Sequence, residues 1–125
     1  MIVRRSVMKI VVAGSRDYTN YEEAVEFIKQ SIQELTVLND IIILSGGCKG
    51  ADMLGERYAK EYGYKTKKFP AQWGKFGKAA GIIRNKEMAD NADAIICFWN
   101  GKSKGTKALI DYTRASNKTL FIKHV

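Results

Sequence analysis

The sequence predicts an α/β fold: a Rossmann-like three-layer α/β/α arrangement around a five-stranded, mainly parallel sheet, in a single domain spanning residues 1–125. Two observations support this prediction. Segments 10–13, 41–44 and 94–98 are apolar at every position, which is typical of strands buried on both faces of a parallel sheet. Segments with helical periodicity separate them, and strands that alternate with helices imply right-handed crossover connections.

The first quarter of the chain is expected to form one strand and one helix. Strand one is predicted at about Lys9 to Ala13. Thr19 is the expected N-cap of the first helix, because Glu22 follows three residues later and completes a capping box. The helix is predicted to extend to Val37, with an apolar stripe at Ala24, Val25, Ile28, Ile32 and Leu35.

The next segment predicts a strand, a helix and a second strand. Strand two covers Ile41 to Leu44, and a helix begins near Ala51 and stops at Gly63, a residue type favoured just past a helix end. Strand three, Tyr64 to Phe69, alternates and is basic, so we expect it at an edge of the sheet. Pro70, the only proline, ends it.

The rest of the chain repeats the pattern after a predicted loop that carries Trp73. The third helix is expected near Ala79 to Asn91 and strand four at Ala94 to Phe98. The last two elements are a helix from about Gly105 or Thr106 to Ser116 or Asn117, and strand five at Thr119 to Ile122.

The simplest strand order for this pattern is 3-2-1-4-5, with a topological switch point between strands one and four. Three glycine-bearing stretches, at 14–17, 45–52 and 101–106, each follow a buried strand. Loops at the carboxyl ends of parallel strands form the ligand crevice of open α/β folds. We therefore expect these three stretches on one rim of the sheet.

Charge is distributed unevenly along the chain, whose net charge is +8. Acidic residues prevail from Asp17 to Asp40, whereas Arg57 to Lys86 contains nine lysines and arginines and one acid, Glu61. Such asymmetry favours anionic partners, although a solvated basic face explains single lysines equally well. A nucleic acid is therefore one of the partners to consider.

Several function classes are disfavoured. The only histidine is His124, next to the C-terminus, which argues against a histidine triad or a histidine metal site, and we predict no metal and no cofactor. No apolar run approaches the ~20 residues of a membrane span, and the first residues are too polar for a signal peptide. Cys48 and Cys97 are interpreted as reduced thiols of a cytoplasmic protein that does not associate with membranes.

The glycine-bearing stretches indicate an anion site rather than a known nucleotide hydrolase motif. Two of them open helices, whose free N–H groups and dipole favour phosphate. Neither is a Walker A motif, because Ala51 and Thr106 stand where that motif needs lysine. The G-x-G-x-x-G pattern of dinucleotide dehydrogenases is also absent from the sequence.

Five further side chains are candidates for the site. Arg16 directly follows strand one and is expected to bind phosphate through its guanidinium group, as is Arg84. Asn85 is equally suited to bonding a loop or a ligand. Trp73 is left open between core packing and stacking on a base. Asp52 is expected to stabilise the first turn of its helix, and it is also the first candidate for a catalytic carboxylate.

Five motifs in this order resemble the SLOG superfamily, specifically its small bacterial and phage branch, which is related to the LOG phosphoribohydrolases and to DNA-processing protein A. The motifs are Gly-Ser-Arg at 14–16, Ser-Gly-Gly-x-x-Gly-Ala-Asp at 45–52, Ala-x-Trp at 71–73, Ala-Gly-x-x-Arg-Asn-x-x-Met at 80–88, and Phe-Trp-x-Gly-x-Ser-x-Gly-Thr at 98–106. The resemblance spans about residues 10–122.

The resemblance implies a Rossmann-like fold that binds nucleotides or nucleotide-derived ligands, and the phosphoribohydrolases suggest a homodimer. Ser45, Gly101 and Ser103 lie in the same stretches and join the candidates. The ligand contacts that the resemblance implies are Gly14, Ser15, Arg16, Gly46, Gly47, Gly50, Asp52, Arg84, Asn85, Gly105 and Thr106.

One departure from the phosphoribohydrolase pattern bears on catalysis. Those enzymes carry a glutamate three residues after Gly-Thr, and Leu109 occupies that place here. An oxocarbenium-like transition state would lack that negative charge. Asp52 and Asp111 are the carboxylates that could substitute for it.

Three functions follow from these observations. The first is cytoplasmic binding, for sensing or sequestration, of a nucleotide-derived small molecule. The second is hydrolysis of the N-glycosidic bond of a nucleoside 5′-monophosphate. The third is nucleic-acid binding, which the net charge and the relationship to DNA-processing proteins both favour.

Overall fold

A computed structural model describes residues 7–35 and 40–125. All five strands are parallel and form one sheet in the order β3-β2-β1-β4-β5, which confirms the predicted fold class and strand order. The strands are β1 (Val7–Gly14), β2 (Asp40–Ser45), β3 (Lys65–Lys68), β4 (Ala94–Trp99) and β5 (Thr119–His124).

Helices cover both faces of the sheet. Two of them pack with one core cluster and two with the other, and a 3₁₀ turn at Gly77–Ala79 leads into α4. Among the described residues, none of these helices is long and apolar enough to span a bilayer. The helices are α1 (Tyr21–Glu34), α2 (Ala51–Glu61), α3 (Trp73–Phe76), α4 (Ala80–Asn91) and α5 (Lys104–Ala115).

The central strand β1 contributes to a core on each side of the sheet. Ile10 and Val12 pack with residues of α1 and α2, whereas Val11 packs with Met88 of α4 and Leu109 of α5. All five side chains are essentially inaccessible to solvent. Each such side chain stabilises the fold by roughly 1.5–3 kcal/mol, so the sheet that positions the loops is held from both faces.

The start of α1 differs from the prediction. Asn20, not Thr19, is the N-cap, and its side-chain oxygen accepts a hydrogen bond from the Glu23 amide at 3.2 Å. The predicted capping box of Thr19 and Glu22 is therefore wrong, and the N-cap lies one residue later. Asparagine caps a helix at least as well as threonine does, and Asn20 is one residue nearer the helix. Val37, the predicted end, lies outside the described residues.

The segment around β3 is shorter and more helical than predicted. Only Lys65–Lys68 pairs with β2, and every residue of this edge strand is exposed, as expected from its lysines. Gly63 takes a positive φ of 74° just after α2, as its predicted role requires. The predicted loop around Trp73 is wrong: the chain forms α3 and the 3₁₀ turn before α4 begins at Ala80.

Helix α2 approaches β1 closely at one glycine. A Cβ atom at Gly55 would lie 2.6 Å from Val12 Cβ, in the core beneath the sheet. By contrast, a Cβ atom at Gly81, near the start of α4, would meet Trp73 at an ordinary 3.6 Å. The two glycines therefore differ in whether the fold has room for a methyl group.

Gly55→Ala should lower the free energy of unfolding by about 1–2 kcal/mol, because the overpacking cost exceeds the gain in helix propensity. Gly81→Ala is the matched control and should leave stability unchanged or raise it. Urea denaturation of both variants checks the expectation. A Gly55→Ala protein as stable as the native chain would show that the helix can move away from β1 at little cost.

Candidate functional site

A crevice of about 550 Å³ opens at the carboxyl ends of the strands, beside the switch point between β1 and β4. The loops after β1, β2 and β4 all contribute to it, together with the first turns of α4 and α5. The candidate residues on its wall are Gly14, Arg16, Asp52, Trp73, Arg84, Asn85, Ser103, Gly105 and Thr106.

The other candidate residues lie behind or beside this crevice. Gly46 and Gly47 line an adjoining cavity of about 390 Å³, which shares Trp73, Cys48 and Arg84 with the first. Ser15, Ser45, Gly50 and Gly101 are not part of either wall. Their roles follow from the contacts that hold the loops in place.

Ser15 ties the β1 loop to the loop that follows β4. Its side chain is buried, its amide donates to the Phe98 carbonyl at 2.9 Å, and its hydroxyl accepts from the Asn100 amide at 3.0 Å. Gly50 brings the β2 loop against the same segment, since a Cβ atom there would lie 2.4 Å from the Ser15 carbonyl oxygen. Ser15 and Gly50 thus hold the backbones of these loops together. The side chain of Arg16, which follows Ser15 in the sequence, stays exposed.

The β2 loop is held by hydrogen bonds and by a glycine without space for a side chain. The Ser45 hydroxyl donates to Glu56 at 2.7 Å and accepts from the Gly47 amide at 3.1 Å. A Cβ atom at Gly46 would lie 2.8 Å from both the Arg84 guanidinium carbon and an Asp52 carboxylate oxygen. Glycine at position 46 therefore leaves room for both of these side chains against the backbone of the β2 loop.

Arg84 is buried, with only 6% of its surface exposed. Its Nη1 donates to the Gly46 carbonyl at 2.7 Å and to the Phe69 carbonyl at 3.3 Å, and its Nε donates to the Asn85 amide oxygen at 2.8 Å. The Nη2 atom lies 3.6 Å from the Cys48 sulfur, a weak acceptor. Arg84 therefore supports the loops while lending its charge to the crevice.

Asp52 lies in the first turn of α2 and is buried at the crevice wall. Its Oδ2 accepts from the Cys48 amide at 3.2 Å. Burial raises the pKa of its carboxyl to about 6, against the opposing effects of that amide and of the Arg84 charge. Asp52 is thus a carboxyl group that changes charge near neutral pH.

The first turn of α5 opens directly onto the crevice. Ser103 is the N-cap, and its hydroxyl accepts from the Thr106 amide at 3.3 Å and lies 2.9 Å from the Thr106 hydroxyl. The amides of Lys104 and Gly105 precede the first intrahelical hydrogen bond. A Cβ atom at Gly105 would meet nothing within 4 Å, so a side chain has room at this position.

Asn100 organises the approach to α5 and is absent from the sequence-based candidates. Its side-chain oxygen accepts from the Lys102 amide at 2.8 Å and from the Ser103 amide at 2.9 Å. Gly101 lies inside this turn with a φ of 80°. An asparagine followed by glycine is a turn signal that could have been recognised in the sequence.

The crevice carries more positive than negative side chains. Arg16, Lys78, Lys102 and Arg84 line it, against the carboxylates of Asp17 and Asp52. Lys78 lies in the 3₁₀ turn before α4, which the sequence pattern does not predict. Leu109, only 1% exposed, also forms part of the wall. The site is thus cationic at its mouth and apolar at position 109.

Asp52→Asn should reveal the titration of this buried carboxyl in the stability of the fold. The folded state holds the proton up to about pH 6, whereas the unfolded chain loses it near 3.8. The native chain should therefore lose stability relative to the variant as pH rises through this window, with a constant difference above about pH 7. Urea denaturation at several pH values measures this. A difference that stays flat, or that runs the other way, would contradict the assignment.

Comparison with known proteins identifies the family. The family model described as YAcAr, the YspA, cpYpsA-related SLOG family, matches residues 8–76. The Gene 61 protein of Mycobacterium phage D29 is 27% identical over 107 residues, which cover 79% of this chain and 82% of that protein.

Solved structures agree with the fold. DNA processing protein A from Streptococcus pneumoniae matches with a TM-score of 0.72 at 19% identity, over 93% of this chain and 50% of that one. The Helicobacter pylori protein, described by its single-stranded DNA binding mode, matches with a TM-score of 0.64 at 16% identity, over 92% and 64%. TM1055 matches with a TM-score of 0.63 at 17% identity, over 90% and 72%.

The chain spans about half the length of the Streptococcus pneumoniae protein, and at these identities the structural matches establish the fold alone. The family model carries more weight, because the residues that it matches make up more than half of the chain and include the loops after β1 and β2. On this ground, the chain belongs to the YspA, cpYpsA-related SLOG family.

Proposed function

We propose that this protein binds a phosphate-bearing, nucleotide-derived small molecule in the crevice, with the phosphate at the N-terminus of α5. The observation that carries this proposal is the open first turn of α5, which faces a cavity surrounded by the exposed cations Arg16, Lys78 and Lys102. Backbone amides and a helix dipole favour an anion there. The function is binding, for sensing or sequestration, rather than turnover.

The other helix that opens at this rim is less suited to phosphate. In α2 the Ala51 amide already donates to the Ser15 carbonyl at 3.2 Å. The Asp52 carboxyl lies in the same first turn and accepts from the Cys48 amide, so it competes with an anion for donors and repels it when ionised. Of the two helix N-termini expected to bind phosphate, the geometry favours α5.

The remaining volume suits an aromatic base. Trp73 is 52% exposed and lies on the wall shared by the two cavities, with exposed Ile82 beside the first. Stacking of a base on an exposed indole contributes roughly 1–3 kcal/mol. The combination of an anion site and an aromatic platform supports a nucleotide rather than a free phosphate as the ligand class.

Gly105→Asp should abolish saturable binding of AMP and of inorganic phosphate. A carboxylate at this position fits the open space and suits a helix N-terminus, so the fold should survive while the anion is repelled. Gly105→Asn is the matched control of nearly the same size without the charge, and it should retain most of the affinity. Isothermal titration measures both. Equal binding by the aspartate and asparagine variants would place the phosphate elsewhere.

N-glycosidic hydrolysis is the alternative function, and the structure supplies few groups for it. Leu109 is apolar, and Asp111 is exposed and pairs with Lys107 at 2.9 Å outside the crevice. Asp52 is thus the stronger of the two substitutes considered for the missing glutamate, since it lies on the wall.

Release of free base from AMP should therefore be absent or very weak in the native protein. A positioned charge of the missing kind contributes several kcal/mol, hence orders of magnitude in rate. Chromatography of free adenine over hours tests this, beside a Leu109→Glu variant. Robust native turnover that is lost in Asp52→Asn would instead identify Asp52 as the group that carries the chemistry.

A second candidate is the binding of single-stranded nucleic acid. The exposed lysines of β3 lie along one edge of the sheet, and Trp73 and Phe76 of α3 are exposed near its end. Lysines interleaved with aromatic rings are typical of surfaces that track a phosphate backbone. Affinity for an oligonucleotide would fall steeply with salt, whereas affinity for a mononucleotide would fall much less. Titrations at two salt concentrations separate the two functions.

A further inference from the structure

We propose that Asp17 binds a hydroxyl group of the ligand and that Asn100 holds Asp17 in position for this contact. The site would then select a ribose phosphate over a phosphate ester that lacks ribose hydroxyls. This inference rests on the proposed function, since it concerns the same crevice. It concerns the sugar, which neither the phosphate subsite at α5 nor the exposed face of Trp73 would recognise.

The Asn100 side chain has a fixed orientation. Its side-chain oxygen accepts from the backbone amides of Lys102 and Ser103 at 2.8 and 2.9 Å. Its backbone amide donates to the Ser15 hydroxyl at 3.0 Å. The side-chain nitrogen must therefore point away from this turn. It donates to Asp17 Oδ1 at 3.2 Å and to Oδ2 at 3.5 Å.

The Asp17 carboxylate keeps unused acceptor capacity at the crevice. Its exposed carboxylate lines the wall. Within the described residues, the side-chain amide of Asn100 donates hydrogen bonds to this carboxylate, and no lysine or arginine lies within ion-pair distance of it. A carboxylate offers about four acceptor positions. Most of them therefore remain available to a ligand.

A negative charge on the wall of an anion site lowers the affinity for any anion, because like charges repel. The charge becomes favourable only where the ligand brings a donor to it, and the resulting hydrogen bond to an ionised group is among the stronger ones. Phosphate oxygens of an ionised ester supply no such donor, whereas ribose hydroxyls do. A ribose phosphate thus offers both an anion to the cations of the crevice and hydroxyl donors to Asp17.

The competing interpretation is that Asp17 only fastens the β1 loop to Asn100. Asp17→Asn separates the two, because an asparagine oxygen still accepts from the Asn100 amide while the charge and one strong acceptor are lost. A purely fastening role predicts that the variant prefers AMP over its dideoxy analogue to the same degree as the native protein does. Asn100→Ala, by contrast, releases the turn before α5 and should weaken all probes together.

The experiment is isothermal titration of the native chain, Asp17→Asn and Asn100→Ala with four probes: AMP, 2′,3′-dideoxy-AMP, ribose 5-phosphate and inorganic phosphate. The native protein should prefer AMP over its dideoxy analogue by at least about tenfold, the value of one hydrogen bond to a charged group. In Asp17→Asn this preference should shrink to less than about threefold. Affinity for inorganic phosphate should stay the same or rise.

Each other outcome has a distinct meaning. Equal native affinity for AMP and its dideoxy analogue, or an unchanged preference in Asp17→Asn, would overturn the role of Asp17 and leave the proposed phosphate site standing. An Asn100→Ala variant that binds as the native chain does would overturn the positioning role of Asn100. Absence of saturable binding by every probe would overturn the proposed function and this inference with it.

Discussion

The rest of the site depends on the hydrogen bonds that a buried guanidinium makes at the crevice. Arg84 projects from α4 and reaches the carbonyls of Gly46 and Phe69, at the ends of the β2 and β3 segments. Such a charge is tolerated in an interior only when it is hydrogen-bonded and compensated. The carbonyls of Gly46 and Phe69 meet the first condition, and the nearby Asp52 carboxyl supplies the opposite charge for the second.

The buried and the exposed cations of the crevice have different roles. The buried arginine shapes the β2 loop and gives the crevice a fixed positive potential, whereas Arg16, Lys78 and Lys102 line the crevice as exposed side chains. Arginine suits the interior role because its planar fork donates in several directions at once and stays charged. The exposed cations contribute mainly attraction at a distance, which salt weakens.

The loops around the crevice are built largely by contacts among themselves. Ser15 and Gly50 join the β1 and β2 loops, and Ser15 and Asn100 join the β1 and β4 loops. These contacts consume backbone donors that a ligand could otherwise use, including those at the start of α2. The consequence is an asymmetric crevice, in which the start of α2 is bonded to the β1 loop, whereas the first turn of α5 and Asp17 line the wall.

The sequence by itself determined the parallel sheet, its strand order, the edge position of β3 and the rim at which the loops meet. These features depend on local patterns: continuous apolar runs, a basic alternating strand, and glycines after strands. Only the tertiary structure decided which candidate residues line the crevice and which ones hold the loops together. Arg84 meets Gly46 across 38 residues, and Asn100 meets Ser15 across 85, so no local periodicity encodes these contacts. The burial of Ser15 and Arg84, the arrival of Lys78 from a 3₁₀ turn and the orientation of Asn100 all follow from packing between distant segments, which is why residue type and spacing alone did not reveal them.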